Sequence, residues 1–291
     1  MKKRLITVIV LGSAAPGLAS LVAYDGFDYE VGTGLDEKTN PVTHTNWNWT
    51  NANTDVQVVA GNLSYNGLPA STGHRVSLNA IPTNSNGTDR LGTGTFASGR
   101  LYYSLLFNVS ALGGATAAGG FFAGFNNSDA SVTSAVTSAG GRLFIRASAT
   151  SGMYNLGIRT NLPNAPDTVW DPRDFAPGET VMAVVAYQFN QDSAADDVSM
   201  LWLNPSPATF GAEEGSVPAP DAQSTGQDIN QLQIQSFFLR QNTVLPDTLL
   251  VDELRIGTTW ADVTPEPATT LLLGAGLGML AAARRRQPGN R

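Results

Sequence analysis

The chain has 291 residues, of which 42% are hydrophobic and 14% are charged, and its formal net charge is −7. This hydrophobic share excludes a fully disordered chain, and the charged share lies well below the roughly 25% of average soluble domains. The 30 glycines and 16 prolines favour turns over long helices, while the lack of cysteine excludes disulfides, thiolate zinc sites and cysteine nucleophiles.

Residues 1–20 have the three parts of a secretory signal peptide. A basic start at residues 1–4 precedes a short apolar run at residues 5–11 and then a stretch of small residues. The apolar run is shorter than the roughly 17–25 residues that cross a bilayer. We therefore predict an export signal that is cleaved near Ala19.

Residues 21–262 are predicted to form one all-β domain, because short runs rich in β-branched and aromatic residues alternate with clusters of turn-forming residues. About twelve strands without an interdomain linker favour a single antiparallel sandwich over two small domains. The predicted strands are residues 22–29, 56–60, 62–65, 75–79, 101–109, 120–124, 142–148, 154–159, 180–189, 198–203, 232–240 and 249–256. The predicted loops are residues 82–94, 111–119 and 205–228, the last of them long, acidic and exposed.

Two tryptophan-containing segments are candidates for sugar binding, which combines aromatic platforms with amide and carboxylate hydrogen bonds. Trp47 and Trp49 alternate with asparagines and would share one face of an extended strand. Trp170 precedes a loop that contains Asp171 and Asp174. We predict a glycan-binding role for these three tryptophans, with core packing at the ends of the sandwich as the alternative.

The sequence shows no arrangement typical of catalysis. The adjacent acids at 196–197 would face opposite ways on a strand, and those at 213–214 lie in the predicted loop 205–228, so neither pair holds two carboxyls across a sugar bond. His44 and His74 are the only histidines, and the chain lacks both a G-x-S-x-G elbow and a phosphate-binding glycine loop. We predict that the protein is not an enzyme, with an extracellular polysaccharide hydrolase as the alternative.

The first and last segments of the domain, Tyr24-Asp25-Gly26-Phe27-Asp28-Tyr29 and Leu250-Val251-Asp252-Glu253-Leu254-Arg255-Ile256-Gly257, resemble those of concanavalin A-like jelly rolls, in particular laminin-G-like domains. The resemblance implies an antiparallel jelly-roll β-sandwich whose first and last strands lie together. It also implies that Asp25 or Asp28 lies near Asp252. The E-x-D-x-x-E strand of related glycoside hydrolases is missing from this sequence.

Asp252 is a candidate metal ligand because strand alternation places it on one apolar face with Leu250, Leu254 and Ile256. An ionised carboxylate on such a face needs a hydrogen-bonding partner or a cation. One interpretation is a structural calcium site formed by Asp28, Glu30 and Asp252 with backbone carbonyls. The other is a carboxylate that accepts hydrogen bonds from loop amides or from arginine. No other cofactor is predicted.

The C-terminal segment has the pattern of a short membrane anchor. Pro265-Glu266-Pro267 precedes the uncharged residues 268–283, and Arg284, Arg285 and Arg286 follow at once. Sixteen helical residues reach ~24 Å, and snorkelling arginines with local thinning adapt them to a ~30 Å hydrocarbon core. The arginines predict a transmembrane helix with the main body outside and residues 287–291 as a cytoplasmic tail.

The triplet, apolar helix and arginine cluster in this order resemble the PEP-CTERM sorting signal of Gram-negative bacteria that make exopolysaccharide. The resemblance implies that residues 263–286 are recognised by exosortase, a membrane-embedded transpeptidase-like enzyme thought to cut near the triplet. Pro265, Glu266 and Pro267 are then recognised residues rather than acting ones.

Charge separates the exported body from the two ends of the chain. Seven of the 17 basic residues lie in the terminal segments, which leaves ten against 24 acids, or 23 without Glu266. The resulting charge of −14 or −13 disfavours nucleic acid, and it makes cations or neutral glycans the easier partners. We expect an exported surface or matrix protein that binds glycan or exopolysaccharide, or acts as a spacer or adhesin.

Overall fold

The computed structural model describes residues 21–50, 55–80, 87–161 and 168–266. The strands in this part of the chain are β1 (Leu21–Asp25), β2 (Trp47–Thr50), β3 (Gln57–Val59), β4 (Arg75–Leu78), β5 (Gly87–Phe96), β6 (Arg100–Ala111), β7 (Gly120–Asn126), β8 (Ala139–Ala147), β9 (Tyr154–Arg159), β10 (Val169–Trp170), β11 (Thr180–Gln188), β12 (Asp197–Leu203), β13 (Ala222–Gly226), β14 (Ile234–Gln241) and β15 (Thr248–Gly257). Three 3-10 turns at Pro207–Thr209, Glu214–Ser216 and Asn230–Leu232 precede a short helix, α1 (Trp260–Val263).

The strands form two antiparallel sheets. The eight-stranded sheet has the order β13-β12-β11-β6-β15-β4-β3, with β1 also paired to β15, and the seven-stranded sheet has the order β10-β9-β8-β7-β14-β5-β2. Alternate side chains of both sheets meet in one large apolar core. The predicted antiparallel sandwich is therefore confirmed, and so is the pairing of its first and last strands, since Asp25 lies opposite Leu254.

Strand β11 shows why a run that is apolar on both parities belongs in the middle of a sheet. Val181, Val185 and Tyr187 point into the core between the sheets. Met182 and Val184 point the other way, into a second apolar cluster that contains Trp202 and Trp260. This second cluster lies under α1 and the segment after β12, so β11 is covered on both faces.

Two predicted loops contain strands. Residues 87–94 belong to β5, which pairs with β14 and β2, and residues 222–226 form β13 at the edge of the eight-stranded sheet. The segment predicted as an exposed loop also packs Phe210 into the second apolar cluster. In both places packing against neighbouring strands overrides a glycine-rich or polar composition. The predicted strand 62–65 is wrong, because those residues form no regular secondary structure.

Candidate functional site

The seven-stranded sheet carries arginines and aromatic rings on the side that points away from the other sheet. Its inward residues, such as Leu143 and Ile145 of β8, belong to the core between the sheets. The alternate residues therefore point outward. We call this set the arginine–aromatic face; its members are Phe121, Arg142, Phe144, Arg146, Arg159, Trp170, Phe238 and Arg240.

Strand register places these outward side chains in neighbouring rows. Arg142 lies opposite Arg159, while Phe144 lies opposite both Phe121 and Gly157. Trp170 of the edge strand β10 also lies opposite Gly157. Because Gly157 has no side chain, the ring of Trp170 can approach Phe144, and their ring centroids are 6.2 Å apart.

Arg142 is the most unusual residue of this face. Its side chain is 0% exposed, yet Nε, Nη1 and Nη2 are all buried without a hydrogen-bond partner. Its guanidinium carbon lies 5.3 Å from the ring centroid of Phe121 and 5.5 Å from that of Phe144. Burial, together with the positive charges of Arg159 and Arg240, lowers the pKa of Arg142 to about 9, so this side chain is still cationic at neutral pH.

An open cavity of about 640 Å³ lies at one end of the arginine–aromatic face. Trp170 and Arg146 line it, and the guanidinium carbon of Arg146 sits 4.2 Å from the Trp170 ring centroid. The polar lining includes Ser148, Thr150, Asn155 and Asp174. The cavity thus combines an aromatic ring with hydroxyl, amide and carboxylate groups, the combination that suits a sugar.

Asp174 organises the polar side of this cavity. Its carboxylate accepts hydrogen bonds from Ser148, from Thr150 Oγ1 at 2.6 Å and from Asn155 Nδ2 at 2.7 Å. These bonds hold the pKa of Asp174 below its ordinary value, with Ser148 the largest contributor. The carboxylate is therefore ionised at neutral pH and its donors are fixed in place.

Toward the opposite edge of the same sheet, at β5, a loop covers the outer face. Arg90 on β5 donates from Nη1 to the carbonyl of Val132 and from Nη2 to that of Ser134, both at 2.6 Å. Arg90 is fully buried, and burial lowers its pKa to about 10. Arg90 thus has backbone acceptors for its Nη groups, whereas Arg142 has none.

The structure corrects the prediction for Trp47. This side chain is 0% exposed and packs between the two sheets, and its Nε1 donates to Asp25 Oδ2 at 2.8 Å. The Trp47 indole cannot form a binding surface, because the pairing of β2 with β5 directs this side chain toward the core. Trp49 shares the same strand but is 37% exposed. It lies at the edge of the sheet opposite to Trp170, so the two do not form one site.

Asp252 shares a face of β15 with Leu250 but not, as alternation predicts, with Leu254 and Ile256. A bulge interrupts the pairing of β15 with β6 between Asp252 and Arg255, and Glu253 has a φ of 52°. The bulge reverses the alternation, so Leu254 and Ile256 point into the main core whereas Leu250 joins the second cluster.

The contacts of Asp252 are amide hydrogen bonds. Oδ2 accepts from the amide of Leu63 at 2.7 Å and Oδ1 from that of Glu253 at 2.8 Å, which is the second interpretation given above. Burial nevertheless raises the pKa of Asp252 to about 7. Asp28 and Glu30 are exposed, and calcium binding by this trio stays a prediction.

A different acidic group could hold a cation. Among the described residues, Asp196, Asp197 and Asp228 have oxygens within 4.8 Å of one another. Asp197 already accepts hydrogen bonds from Tyr187 and from the amide of Asn190, and Asp228 accepts from the amides of both other aspartates. The group therefore organises the turn between β11 and β12 through hydrogen bonds.

The other acid pair lies away from the arginine–aromatic face. Glu214 makes an ion pair with Arg100 at 3.3 Å and accepts hydrogen bonds from Tyr102 and from the amide of Trp260. These contacts fasten the segment after β12 to the eight-stranded sheet. Glu214 thus has a structural role in the packing around the chain's exit.

Residues 263–287 match the model of the PEP-CTERM protein-sorting motif. The predicted sorting signal is therefore confirmed, and it marks the chain as an exported protein of the exosortase-sorted kind. Pro265 is half-buried and Glu266 exposed, while Pro267, the arginines and the predicted helix at 268–283 lie outside the described residues, as does the predicted signal peptide. Within the described part of the chain, no helix has the length and apolar character needed to cross a membrane.

The sequence has no match among curated proteins, whereas several solved structures are similar to this one at low sequence identity. Endo-β-1,4-glucuronan lyase from the fungus Trichoderma reesei is 13% identical, with 82% of this chain and 100% of the lyase covered, at a TM-score of 0.49. The Emp47p carbohydrate recognition domain is 12% identical, with 84% and 99% covered, at 0.41. Alginate lyase Aly36B is 14% identical, with 63% and 80% covered, at 0.40.

Proposed function

We propose that this protein is a non-catalytic, polysaccharide-binding component of the cell surface or extracellular matrix. The signal at residues 263–287 supports export and sorting. The predicted helix at 268–283 would hold the body at the membrane until exosortase processes the tail. Glycan binding then gives the exported sandwich a role in the exopolysaccharide layer.

The observation that carries the proposal is the cavity at Trp170. The indole ring of Trp170 is half-buried and flanked by Arg146. The cavity wall beside this ring carries the hydrogen-bonded carboxylate of Asp174. A sugar ring can stack on such an aromatic surface while its hydroxyls exchange hydrogen bonds with the fixed polar groups. A volume of about 640 Å³ lies in the range of ordinary ligand pockets.

The test measures binding of the exported chain, purified in detergent, to a panel of polysaccharides that includes the producer's own exopolysaccharide. We expect Trp170→Ala to weaken binding by about tenfold, the loss typical of an aromatic anchor. Leu232→Ala is the control, because it removes an exposed apolar side chain that does not line the cavity. Equal loss in both variants, or no binding by the unmodified chain, would contradict the proposal.

The same assay tests the alternative function. A polysaccharide hydrolase would release new reducing ends on incubation with a bound polymer, whereas a binding module leaves the polymer length unchanged. We expect no release. A steady release that Asp174→Asn abolishes would replace the binding module by an enzyme that uses this cavity.

A further inference from the structure

We propose that the polysaccharide is anionic, and that Arg142 with its neighbours Arg240 and Arg159 forms a subsite for its carboxylate groups. This inference rests on the proposed function and names the chemical class of its ligand. It is carried by the geometry of Arg142 within the arginine–aromatic face.

The first step is the unsatisfied guanidinium. All three nitrogens of Arg142 are buried without an acceptor, and Arg142 takes part in none of the ion pairs among the described residues. The rings of Phe121 and Phe144 lie beside it and attract the cation, but they provide no lone pairs for its N–H groups. A buried charge in this state is costly unless an anion completes it.

The second step is the charge distribution. The exported body has ten basic residues against an excess of acids, yet Arg142, Arg146, Arg159 and Arg240 all lie on one face of one sheet. Arg142 and Arg159 are direct cross-strand neighbours, a pairing of like charges that destabilises a sheet. A positive face on an acidic protein is a local feature that an anionic partner would stabilise.

The third step is the path from the cavity. Arg142, Phe144 and Arg146 alternate along β8, so the two guanidinium groups are anchored about 13 Å apart on the same side of the strand. Trp170 and Arg146 line the cavity, and Phe144 links that end to Arg142. A polymer that stacks on Trp170 and follows β8 would therefore bring successive charged groups to both arginines.

The fourth step is access to a buried group. The guanidinium carbon of Arg240 lies 4.3 Å from the ring centroid of Phe121, which also contacts Arg142. Arg240 is half-buried and its Nη1 donates a long hydrogen bond, 3.5 Å, to the carbonyl of Phe121. We infer that an anionic ligand draws this long side chain away from Phe121 and reaches Arg142 without a change in the backbone. The planar fork of a guanidinium matches a carboxylate in bidentate geometry, which favours a carboxylated polymer.

The test compares Arg142→Met with the unmodified chain, again purified in detergent, on polyglucuronate, dextran sulfate and neutral dextran. We expect affinity for polyglucuronate to fall by about 10- to 100-fold, the effect of losing a charge-assisted pair. The melting temperature should stay the same or rise, because methionine replaces a buried unpaired charge with an apolar chain. Arg100→Gln, which removes a cation from the other sheet, is the control with unchanged binding.

The outcomes separate this inference from the proposed function. Equal affinity of Arg142→Met and the unmodified chain for polyglucuronate, or a preference for neutral dextran, overturns the anionic subsite while glycan binding stands. If the chain binds dextran sulfate but not polyglucuronate, the recognised group is a sulfate rather than a carboxylate, and the carboxylate assignment is overturned.

If no polysaccharide binds, free glucuronate is tested in thermal unfolding. Stabilisation that is lost in Arg142→Met keeps the anion site without the proposed function, and no stabilisation overturns both.

Discussion

Trp47 Nε1 donates a 2.8 Å hydrogen bond to Oδ2 of Asp25, and this bond joins the two sheets of the sandwich. Asp25 ends β1 in the eight-stranded sheet, and Trp47 begins β2 in the seven-stranded sheet. Asp25 also accepts from the Tyr29 hydroxyl, the Asn40 amide group and the backbone of Phe27. One buried carboxylate therefore collects four donors where the first strand meets the opposite sheet.

The first prediction concerns this carboxylate. Asp25→Ala should lower the free energy of unfolding by about 3 kcal/mol or more, since it leaves buried donors, including the Trp47 indole, without an acceptor. Asp28→Ala is the control, because Asp28 is exposed, and it should change stability by less than about 0.5 kcal/mol. Denaturant unfolding followed by tryptophan fluorescence measures both. A loss of stability in Asp25→Ala as small as the loss expected for Asp28→Ala would show that the Asp25 hydrogen bonds do not stabilise the fold.

The second prediction concerns pH. Burial raises the pKa of Asp252 from 3.8 to about 7, so between these values the folded protein binds a proton that the unfolded chain has released. The stability due to this group is therefore fully present below about pH 4, falls as the pH rises toward 7 and is level above it, with a slope of at most about 1.4 kcal/mol per pH unit.

Asp252→Asn isolates this effect, because the difference in stability between the two proteins cancels the titration of other groups. The variant should be less stable near pH 4, since one carboxamide oxygen cannot accept from both the Leu63 and Glu253 amides. The difference should narrow by pH 7. A constant difference across this range would contradict the pKa shift, and a calcium-dependent stabilisation lost in the variant would instead support a calcium site.

Much of the sandwich could be predicted from local pattern, but β5 could not. Gly87, Gly92 and Gly94 make its sequence typical of a loop, and Gly94 has a φ of 77°. The strand forms because β14 and β2 pair with it on either side. These are contacts between distant parts of the chain, which no short window of sequence contains.

Part of the candidate site could be predicted from the sequence. Arg142, Phe144 and Arg146 alternate with apolar residues inside a predicted strand, a pattern that indicates a basic and aromatic outer face. The negative net charge of the exported body gives no indication of this basic face, because the acidic residues lie in other parts of the chain. The burial of Arg142 could not be predicted, since it depends on Phe121 and Arg240 from two other strands. The bulge at Glu253 also escaped prediction, as alternation assumes an uninterrupted strand.

The third prediction concerns processing. The residue before the triplet, Thr264, is buried, and its carbonyl accepts a hydrogen bond from the amide of Gly211 at 2.7 Å. Replacing Pro265, Glu266 and Pro267 by alanine should leave this packing intact while the full-length chain accumulates in the membrane fraction. Mass spectrometry of the fractions measures the tail. Cleavage at the normal rate would show that the triplet is not the recognised element.

The fourth prediction uses the space beside Trp170. A Cβ at Gly157 would lie 2.8 Å from Trp170 Cε3, from Thr168 Cγ2 and from the carbonyl oxygen of Val169, so Gly157→Ala must displace the indole together with β10. We expect weaker polysaccharide binding with little loss of stability, because β10 is a two-residue edge strand.

Gly215→Ala is the matched control for this substitution, since no atom lies within 4 Å of its added Cβ. Binding curves and melting temperatures of both variants are compared with those of the unmodified chain. Because Gly157→Ala retains every side chain that lines the cavity, weaker binding would result from the position of Trp170 rather than from the loss of a polar contact. Unchanged binding by Gly157→Ala would mean that the ligand does not stack on this indole.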